Sequence, residues 1–171
     1  MKRLALASWL FLAAACSGAR KETPVGVSMP DEKVPVSFSF DSLDARPVSS
    51  AAMQGKPAVL LFVTTWDTLS QAQVAYAIDV ADGEKDRASF ALVALQERSA
   101  RELVEIYRDT MKVKFPVALG DDATIAGGGP LGDVHQVPST VVLDAAGHVA
   151  WRHAGLVKAD ELRARLKPLL P

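Results

Sequence analysis

Continuous apolar runs alternate along the chain with segments whose apolar residues recur at helical spacing. Residues 58–64, except the last, Thr64, and residues 90–95 form continuous apolar runs, as is typical of strands that are covered on both faces of a sheet. Between them, residues 68–81 follow Asp67, which is a good N-cap, and we predict a helix there. The apolar stripe predicted for this helix consists of Leu69, Val74, Ala77, Ile78 and Ala81.

The region before the first apolar run has the pattern of a hairpin. Apolar and polar residues alternate over residues 34–40, which predicts a half-buried strand. Its apolar face carries Val36, Phe38 and Phe40. A turn at 44–45 leads to a second short strand over 46–48, and residues 50–54 are predicted to form a helical turn or connector.

The second half of the chain continues the alternation of strands and helices. The predicted elements are a helix over 99–111, a strand over 113–118, a loop or broken helix over 123–132, a hairpin over 137–144 and 148–153, and a helix over 158–170. We predict that Leu103, Ile106 and Tyr107 share one face of the helix over 99–111, with Ser99 as its cap. The order of elements indicates an α/β sandwich, a central mixed sheet flanked by helices, with an N-terminal hairpin extension.

Residues 1–15 have the organisation of an export signal. Lys2 and Arg3 precede a short apolar stretch that is too short to span a bilayer. Small residues then lead to Cys16, and this junction resembles the lipobox of bacterial lipoproteins, in which the cysteine is lipidated. The leucine that the lipobox prefers three positions before the cysteine lies four positions before it here. The alternative is an ordinary signal peptide cleaved near Ala15.

The lipobox resemblance divides the chain into three parts. It implies a lipoprotein signal peptide over 1–15, a lipidated Cys16 with a flexible tether over 16–33, and one folded domain over 34–171. The tether is rich in Ser, Gly, Lys, Glu and Pro, a composition that does not form a core. Ser17 follows the cysteine, which by the same resemblance favours the outer membrane. We therefore expect a lipid-anchored protein of the cell envelope that faces the periplasm.

Charge and cysteine content exclude some functions. The chain has 19 basic and 20 acidic residues; without Lys2 and Arg3 the basic count falls to 17, and the net charge is −3. No basic run is present, which argues against nucleic-acid binding. Cys16 is the only cysteine, and lipidation would remove its thiol, so the folded domain must be stable through its core alone.

Several short motifs together resemble one family. In chain order they are Gly55-Lys56-Pro57, Trp66, Phe115-Pro116-Val117 with Asp121, Val137-Pro138-Ser139-Thr140, Val142-Leu143-Asp144, Gly147 and Gly155. Their order and spacing resemble the TlpA-type, redoxin-related branch of thioredoxin-like proteins, and the likeness runs from about residue 34 to 170. The resemblance implies a thioredoxin-like sandwich, which is the fold class that the element order also predicts.

The chain departs from that family at its redox site. In the family, Trp-Cys-x-x-Cys opens the helix that follows the first core strand, whereas this chain has Asp67 and Ser70 at the two cysteine positions. A thiolate is needed both for disulfide exchange and for peroxiredoxin-type peroxidase activity. Neither Asp67 nor Ser70 can supply one. The sequence therefore predicts a protein that is not a thiol–disulfide oxidoreductase and needs no cofactor.

The residues around the lost cysteines form the candidate site. The resemblance implies that Pro138 is a cis-proline facing the site helix and that Val137 presents its backbone to extended peptides. Pro138 is equally explained by folding alone, and Trp66 is either a binding platform or a packing residue. The full candidate face consists of Trp66, Asp67, Thr68, Leu69, Ser70, His135, Val137 and Pro138.

Two features near this face have alternative interpretations. The resemblance puts His135 in the loop before Pro138, where with Asp67 it would form an acid–base pair or two metal ligands. We expect instead that the three histidines are solvated or capping and that no metal is bound. Residues 127–130, Gly-Gly-Gly-Pro, are predicted to form a flexible loop, because no Gly-Lys-Ser/Thr follows as in a phosphate loop.

The function predicted from the sequence is binding rather than catalysis. We expect a redox-inactive thioredoxin-like lipoprotein that binds an envelope protein or peptide through the candidate face, in an adaptor or assembly role. The alternatives are an enzyme that uses non-thiol residues at that face, and a metal or small-ligand carrier. A shared fold alone does not decide among them.

Overall fold

The computed structural model of the protein describes residues 34–132 and 134–171. In chain order, the described helices and strands are β1 (Ser39–Ser42), β2 (Val48–Ser49), α1 (Ser50–Met53), β3 (Ala58–Val63), α2 (Thr68–Glu84), β4 (Ser89–Ala94), α3 (Arg101–Met111), β5 (Val117–Leu119), α4 (Asp122–Ile125), β6 (Ser139–Leu143), β7 (Val149–Ala154) and α5 (Ala159–Leu166). Short 3-10 turns lie at Arg98–Ala100 and Lys167–Leu169. The signal peptide, Cys16 and the tether predicted from the sequence lie outside the described residues.

The strands form one mixed sheet in the order β2-β1-β5-β4-β3-β6-β7. Strands β3, β4 and β5 are parallel to one another, whereas β6 is antiparallel to β3 and β7 is antiparallel to β6. At the other edge, β1 is antiparallel to β5 and pairs with β2 as a hairpin. The predicted fold class, a mixed sheet flanked by helices with an N-terminal hairpin extension, is confirmed.

Both faces of the sheet are covered, which explains the continuous apolar runs. On one face, Val59, Leu61 and Val63 of β3 pack with residues of α2, α3 and α5. On the other face, Leu60 and Phe62 pack with the N-terminal segment, α1 and the loop before β6. Because every residue of β3 is buried, a polar residue would be costly at any position of this strand. No helix among the described residues is long and apolar enough to cross a bilayer.

Helix α2 begins where the sequence predicts and ends later. Asp67 is its N-cap, as expected, but the helix continues to Glu84 and so includes Gly83. Gly83 faces open space, where glycine costs only its backbone entropy. Leu69, which was predicted to belong to the buried stripe, is exposed instead. The buried stripe is formed by Val74, Ala77, Val80 and Ala81, together with two polar residues, Ser70 and Gln73.

The prediction for α3 was wrong in its start and in part of its buried face. The helix begins at Arg101 after a 3-10 turn, and its N-cap, Ala100, makes no side-chain capping bond. Val104 and Tyr107 are buried, whereas Leu103 and Ile106 are 48% and 57% exposed. Burial of Val104 and Tyr107 in the core orients the helix, and Arg101 at its start donates to Asp41 Oδ1 at 2.8 Å. Leu103 and Ile106 therefore face solvent.

The observed ends of three other elements, β5, β1 and α5, differ from the predicted ones. Strand β5 starts after Pro116 rather than at 113, since proline cannot donate a ladder hydrogen bond. The first strand begins at Ser39, the first residue paired with a neighbouring strand, although Phe38 is buried as predicted. Helix α5 ends at Leu166 and continues as the 3-10 turn over Lys167–Leu169, where Pro168 has no backbone N–H to donate a further α-helical hydrogen bond.

Candidate functional site

The C-terminal end of β3 leads directly into the N-terminus of α2 and places Asp67 at the start of the helix. The backbone of Asp67 is extended, and its Oδ2 accepts a hydrogen bond from Ser70 N at 2.7 Å. Hydrogen bonding from Ser70, followed by that from the Leu69 backbone, holds the pKa of Asp67 below its usual value. Asp67 is therefore ionised at neutral pH and stabilises the positive end of the helix dipole.

Buried polar side chains hold the loop that leads into α2. Ser70 is fully buried, and its Oγ accepts from Thr64 N at 3.4 Å. The side chain of Gln96 accepts from Thr65 N at 3.1 Å, and Gln71 Nε2 donates to Thr65 O at 3.3 Å. These bonds satisfy backbone groups that the end of β3 leaves unpaired. Ser70, although part of the predicted face, thus supports the loop from below and does not reach the surface.

Two large apolar side chains stand exposed on either side of Asp67. Trp66 is 68% exposed and Leu69 is 51% exposed, and Thr68 between them is also exposed. Side chains this exposed are not packed in the core of the domain. Aromatic residues are enriched at the centres of protein interfaces. The structure therefore gives Trp66 and Leu69 the accessibility that a contact surface needs.

The loop before β6 lies at the same end of the sheet. Ser139 pairs with Phe62, so Pro138 lies beside the C-terminal end of β3. The Val137–Pro138 peptide is cis, as the resemblance implied, and Pro138 O accepts from Gly155 N at 2.7 Å. Pro138 is buried and Val137 is half-buried. Sheet register thus places Trp66, Asp67 and Val137 at one end of the molecule.

A buried glutamine, which the sequence did not reveal, joins α2 to the segment before α5. Gln73 is fully buried, and its Oε1 accepts from Val157 N at 2.6 Å. This bond ties the first turns of α2 to the chain that follows Gly155, the partner of Pro138. The only sequence signal was the position of Gln73 beside the apolar stripe, one residue before Val74.

His135 lies in the loop before Pro138, as the resemblance implied, with its imidazole directly over Gly127. A Cβ at Gly127 would lie 1.9 Å from His135 Nδ1, and the φ of this glycine is +85°. Leu131 and Val134 are buried in the core beneath the same segment. The glycine-rich stretch is therefore packed against the domain rather than extended into solvent, and it determines where His135 sits.

Asp67 and His135 do not form the pair that would support acid–base chemistry. The groups that set the pKa of Asp67 lie in α2 and do not include His135. Within residues 34–132 and 134–171, no group of three or more His, Cys, Asp or Glu side chains is placed to hold a metal ion. The alternative of an Asp67–His135 pair thus gains no support from the hydrogen bonds of Asp67, which are made within α2.

Tyr107 of α3 is affected by the charge of Asp67. Burial, and secondarily the Asp67 carboxylate, raise the pKa of Tyr107 to about 12. Its hydroxyl is buried and has no hydrogen-bond partner among the described residues. Tyr107 is therefore a neutral phenol at physiological pH and cannot serve as a base.

Removal of the Asp67 cap is expected to destabilise the domain in a pH-dependent way. Asp67→Ala should lower the free energy of unfolding by about 1 kcal/mol at pH 7, and Asp67→Asn by a few tenths, since asparagine keeps the capping bond. Because the folded-state pKa is lowered, the charge contribution is present above about pH 4 and is lost as pH falls through the folded pKa. Urea denaturation at pH 7 and pH 2.5 measures this, and an Ala variant as stable as wild type at pH 7 would contradict it.

Solved structures show similarity to this chain, although no protein-family model and no curated protein sequence matches it. A thiol:disulfide interchange protein of the thioredoxin family from Chlorobium tepidum has a TM-score of 0.68 at 24% identity, over 80% of this chain and 95% of that one. A DsbF homologue from Corynebacterium diphtheriae has a TM-score of 0.70 at 18% identity, over 79% and 85%. A secreted Mycobacterium tuberculosis disulfide oxidoreductase has a TM-score of 0.64 at 24% identity, over 77% and 96%.

These likenesses agree with the geometry of the site. The sheet order, the helix that begins at the end of β3 and the cis-proline beside it form one arrangement. The solved neighbours extend over most of their own length, so the similarity covers a whole domain. The only cysteine of the chain, Cys16, precedes the described residues in the sequence. The protein therefore has the fold of the thioredoxin-like thiol:disulfide interchange proteins and lacks their Cys-x-x-Cys motif.

Proposed function

We propose that the protein is a redox-inactive thioredoxin-like protein that binds a protein or peptide through the face around Asp67. The observation that carries this proposal is the exposure of Trp66 and Leu69 on either side of an intact helix N-terminus. Asp67 supplies the cap that stabilises this geometry but no electron chemistry. The architecture of the site is thus retained while the reacting groups are absent.

The chemistry of the face indicates what kind of partner fits it. Trp66 and Leu69 offer exposed apolar area to a partner. Burial of such area stabilises a complex by about 25 cal/mol for each Å² removed from water. The ionised Asp67 between them favours a hydrogen-bond donor or a positive charge on the partner. Val137, on the opposing loop, adds backbone next to the cis-proline. We infer an extended segment with an apolar side chain next to a polar or basic one.

The proposed location is the cell envelope, with Cys16 as the lipid anchor, in the outer membrane and facing the periplasm. One solved neighbour is described as secreted, which supports export for this fold. The described part of the chain begins at the end of the sheet opposite Asp67, where Val36 N donates to Gly147 O. The proposed tether would therefore join the domain at the end away from the Asp67 face.

The two alternative functions have less support from the site. An enzyme centred on Asp67 and His135 needs these groups to act together, and the pKa of Asp67 is set without His135. A metal carrier needs a ligand cluster, and the described residues contain none. The binding role needs neither group to react. It uses Trp66, which has the largest exposed fraction of the large apolar side chains in the described residues, together with the exposed Leu69.

Site-specific photocrosslinking in the envelope tests the proposal. A benzophenone amino acid at Leu69 is expected to form a discrete adduct with one envelope protein or peptide, and Trp66→Ala in the same chain should reduce that adduct by about tenfold or more. The matched control is the same crosslinker at Ile106, which is similarly exposed but lies on α3. An adduct pattern that is the same at both positions, or insulin reduction by the purified wild-type chain, would count against the proposal.

A further inference from the structure

An apolar cleft of about 400 Å³ lies at the end of the sheet opposite Asp67. It runs under the start of β4, between the C-terminal half of α2, helix α1 and the segment that leads into β5. Apolar side chains form most of its wall, and the largest are Met53, Ile78, Phe90, Phe115 and Pro116. Its volume lies within the range of about 300–1,000 Å³ that is typical of small-molecule sites.

The wall of the cleft is well suited to an apolar chain. Phe90 and Phe115 lie side by side with ring centroids 6.0 Å apart, and both rings are largely buried in the core. Met53, also buried, closes the wall from α1 with a flexible side chain that adapts to irregular shapes. The alanines along α2 and before β4 keep the cleft open, since their side chains extend only to Cβ.

The rim of the cleft carries one uncompensated positive charge. Three charged residues line it: Asp82, Lys85 and Lys114. Lys114 Nζ lies 3.2 Å from Asp82 Oδ1, so these two charges offset each other. Lys85 is exposed and forms no ion pair with any residue in the described part of the chain. The cleft therefore combines an apolar interior with a free ammonium group at its mouth.

We propose that this cleft binds a free carboxylate with a single apolar tail, the carboxylate meeting Lys85 and the tail lying against Phe90 and Phe115. One water occupies about 30 Å³, so the cavity holds on the order of a dozen non-hydrogen atoms. A two-chain lipid is several times larger and does not fit. This site is separate from the Asp67 face, and it stands or falls independently of the proposed binding function.

Calorimetric titration of the full chain with decanoate tests the proposal. Decanoate has a dozen non-hydrogen atoms, and we expect saturable binding at one site. Nonyltrimethylammonium, which has the same nonyl tail and the opposite charge, is expected to bind about tenfold more weakly or not at all. Equal affinity for the two amphiphiles, or decanoate binding without saturation, would overturn the proposal.

Variants at the rim and the wall locate the binding site. Lys85→Gln should weaken decanoate binding by about fivefold, the modest effect of an exposed charge. The matched Lys158→Gln should leave it unchanged, because Lys158 does not line the cleft and follows Val157, which bonds to Gln73 near the start of α2. Ala52→Trp, on the exposed side of α1, should block the cleft and abolish binding. Should that variant not fold, the Lys85 and Lys158 pair decides. Equal affinities of the Lys85 and Lys158 variants would refute the site.

Discussion

Replacement of Asp67 and Ser70 by cysteine in one chain is expected to create a thiol–disulfide reductase. Asp67 is the N-cap of α2, and Ser70 is the third helical residue, so a cysteine pair would have the spacing of a Cys-x-x-Cys motif. The two side chains already lie close, because Asp67 Oδ2 accepts from Ser70 N at 2.7 Å. A thiol at position 67 would gain the helix dipole and free backbone N–H groups, which lower its pKa and favour the reactive thiolate.

The expected effect is large because we expect no reductase activity from the wild-type chain, which has no cysteine at positions 67 and 70. In a background with Cys16→Ser, insulin reduction by wild type and by Asp67→Cys or Ser70→Cys alone should equal the reductant blank. The double variant should exceed that blank on the order of tenfold, since both an attacking and a resolving thiol are needed for turnover. Each single variant serves as the control for the other, and loss of the Asp67 cap should cost about 1 kcal/mol of stability.

The outcome tells whether the site still has a geometry fit for disulfide exchange or has changed beyond the two cysteine positions. Turnover by the double variant would show that the helix N-terminus, the cis-proline loop and the buried supports at Gln73 and Gln96 keep a geometry fit for exchange. A double variant that is folded, forms its disulfide and still lacks turnover would contradict the prediction, and would mean that the surroundings of the site have changed beyond the two cysteine positions.

Much of the fold could be predicted from the sequence because its signals are local. The continuous apolar runs mark β3 and β4, and Asp67 marks the start of α2. The face of α3 was predicted only in part, because Leu103, Ile106 and Tyr107 satisfy helical periodicity equally well before a partner is known. Packing of Val104 and Tyr107 against the sheet, which only the folded chain brings together, decides which of them is buried.

The position of the candidate site could be predicted from the sequence, but the buried side chains that hold its backbone in place could not. The likeness of the motifs located Trp66, Asp67 and Pro138, since each lies at the end of a predicted strand or the start of a helix. Gln73 and Gln96 were missed because a glutamine usually indicates exposed surface. Their burial depends on backbone N–H groups of Val157 and Thr65, which only the folded chain brings near. The cleft at Lys85 was also missed, because its wall combines residues from separate parts of the sequence that only the folded chain brings together.

Gly127→Ala is expected to destabilise the domain by about 2–4 kcal/mol, because two costs add at one position. The φ of +85° is unfavourable for any residue with a Cβ, at about 1–2 kcal/mol. The new Cβ would also overlap the His135 imidazole, whose Nδ1 would be 1.9 Å away. The imidazole must therefore move, and with it the loop that leads to the cis-proline.

A double-mutant cycle with His135→Ala separates the two costs. In the His135→Ala background the overlap is gone, so Gly127→Ala should cost only the backbone contribution of about 1–2 kcal/mol. Gly83→Ala is the matched control, because Gly83 is helical and faces open space, and alanine there should stabilise α2 by about 0.5–1 kcal/mol. Urea denaturation of the four chains of the cycle and of the control measures these values. Equal costs of Gly127→Ala in both backgrounds would mean that His135 does not depend on Gly127 for its position. Other contacts, among them the burial of Leu131 and Val134, would then hold the loop.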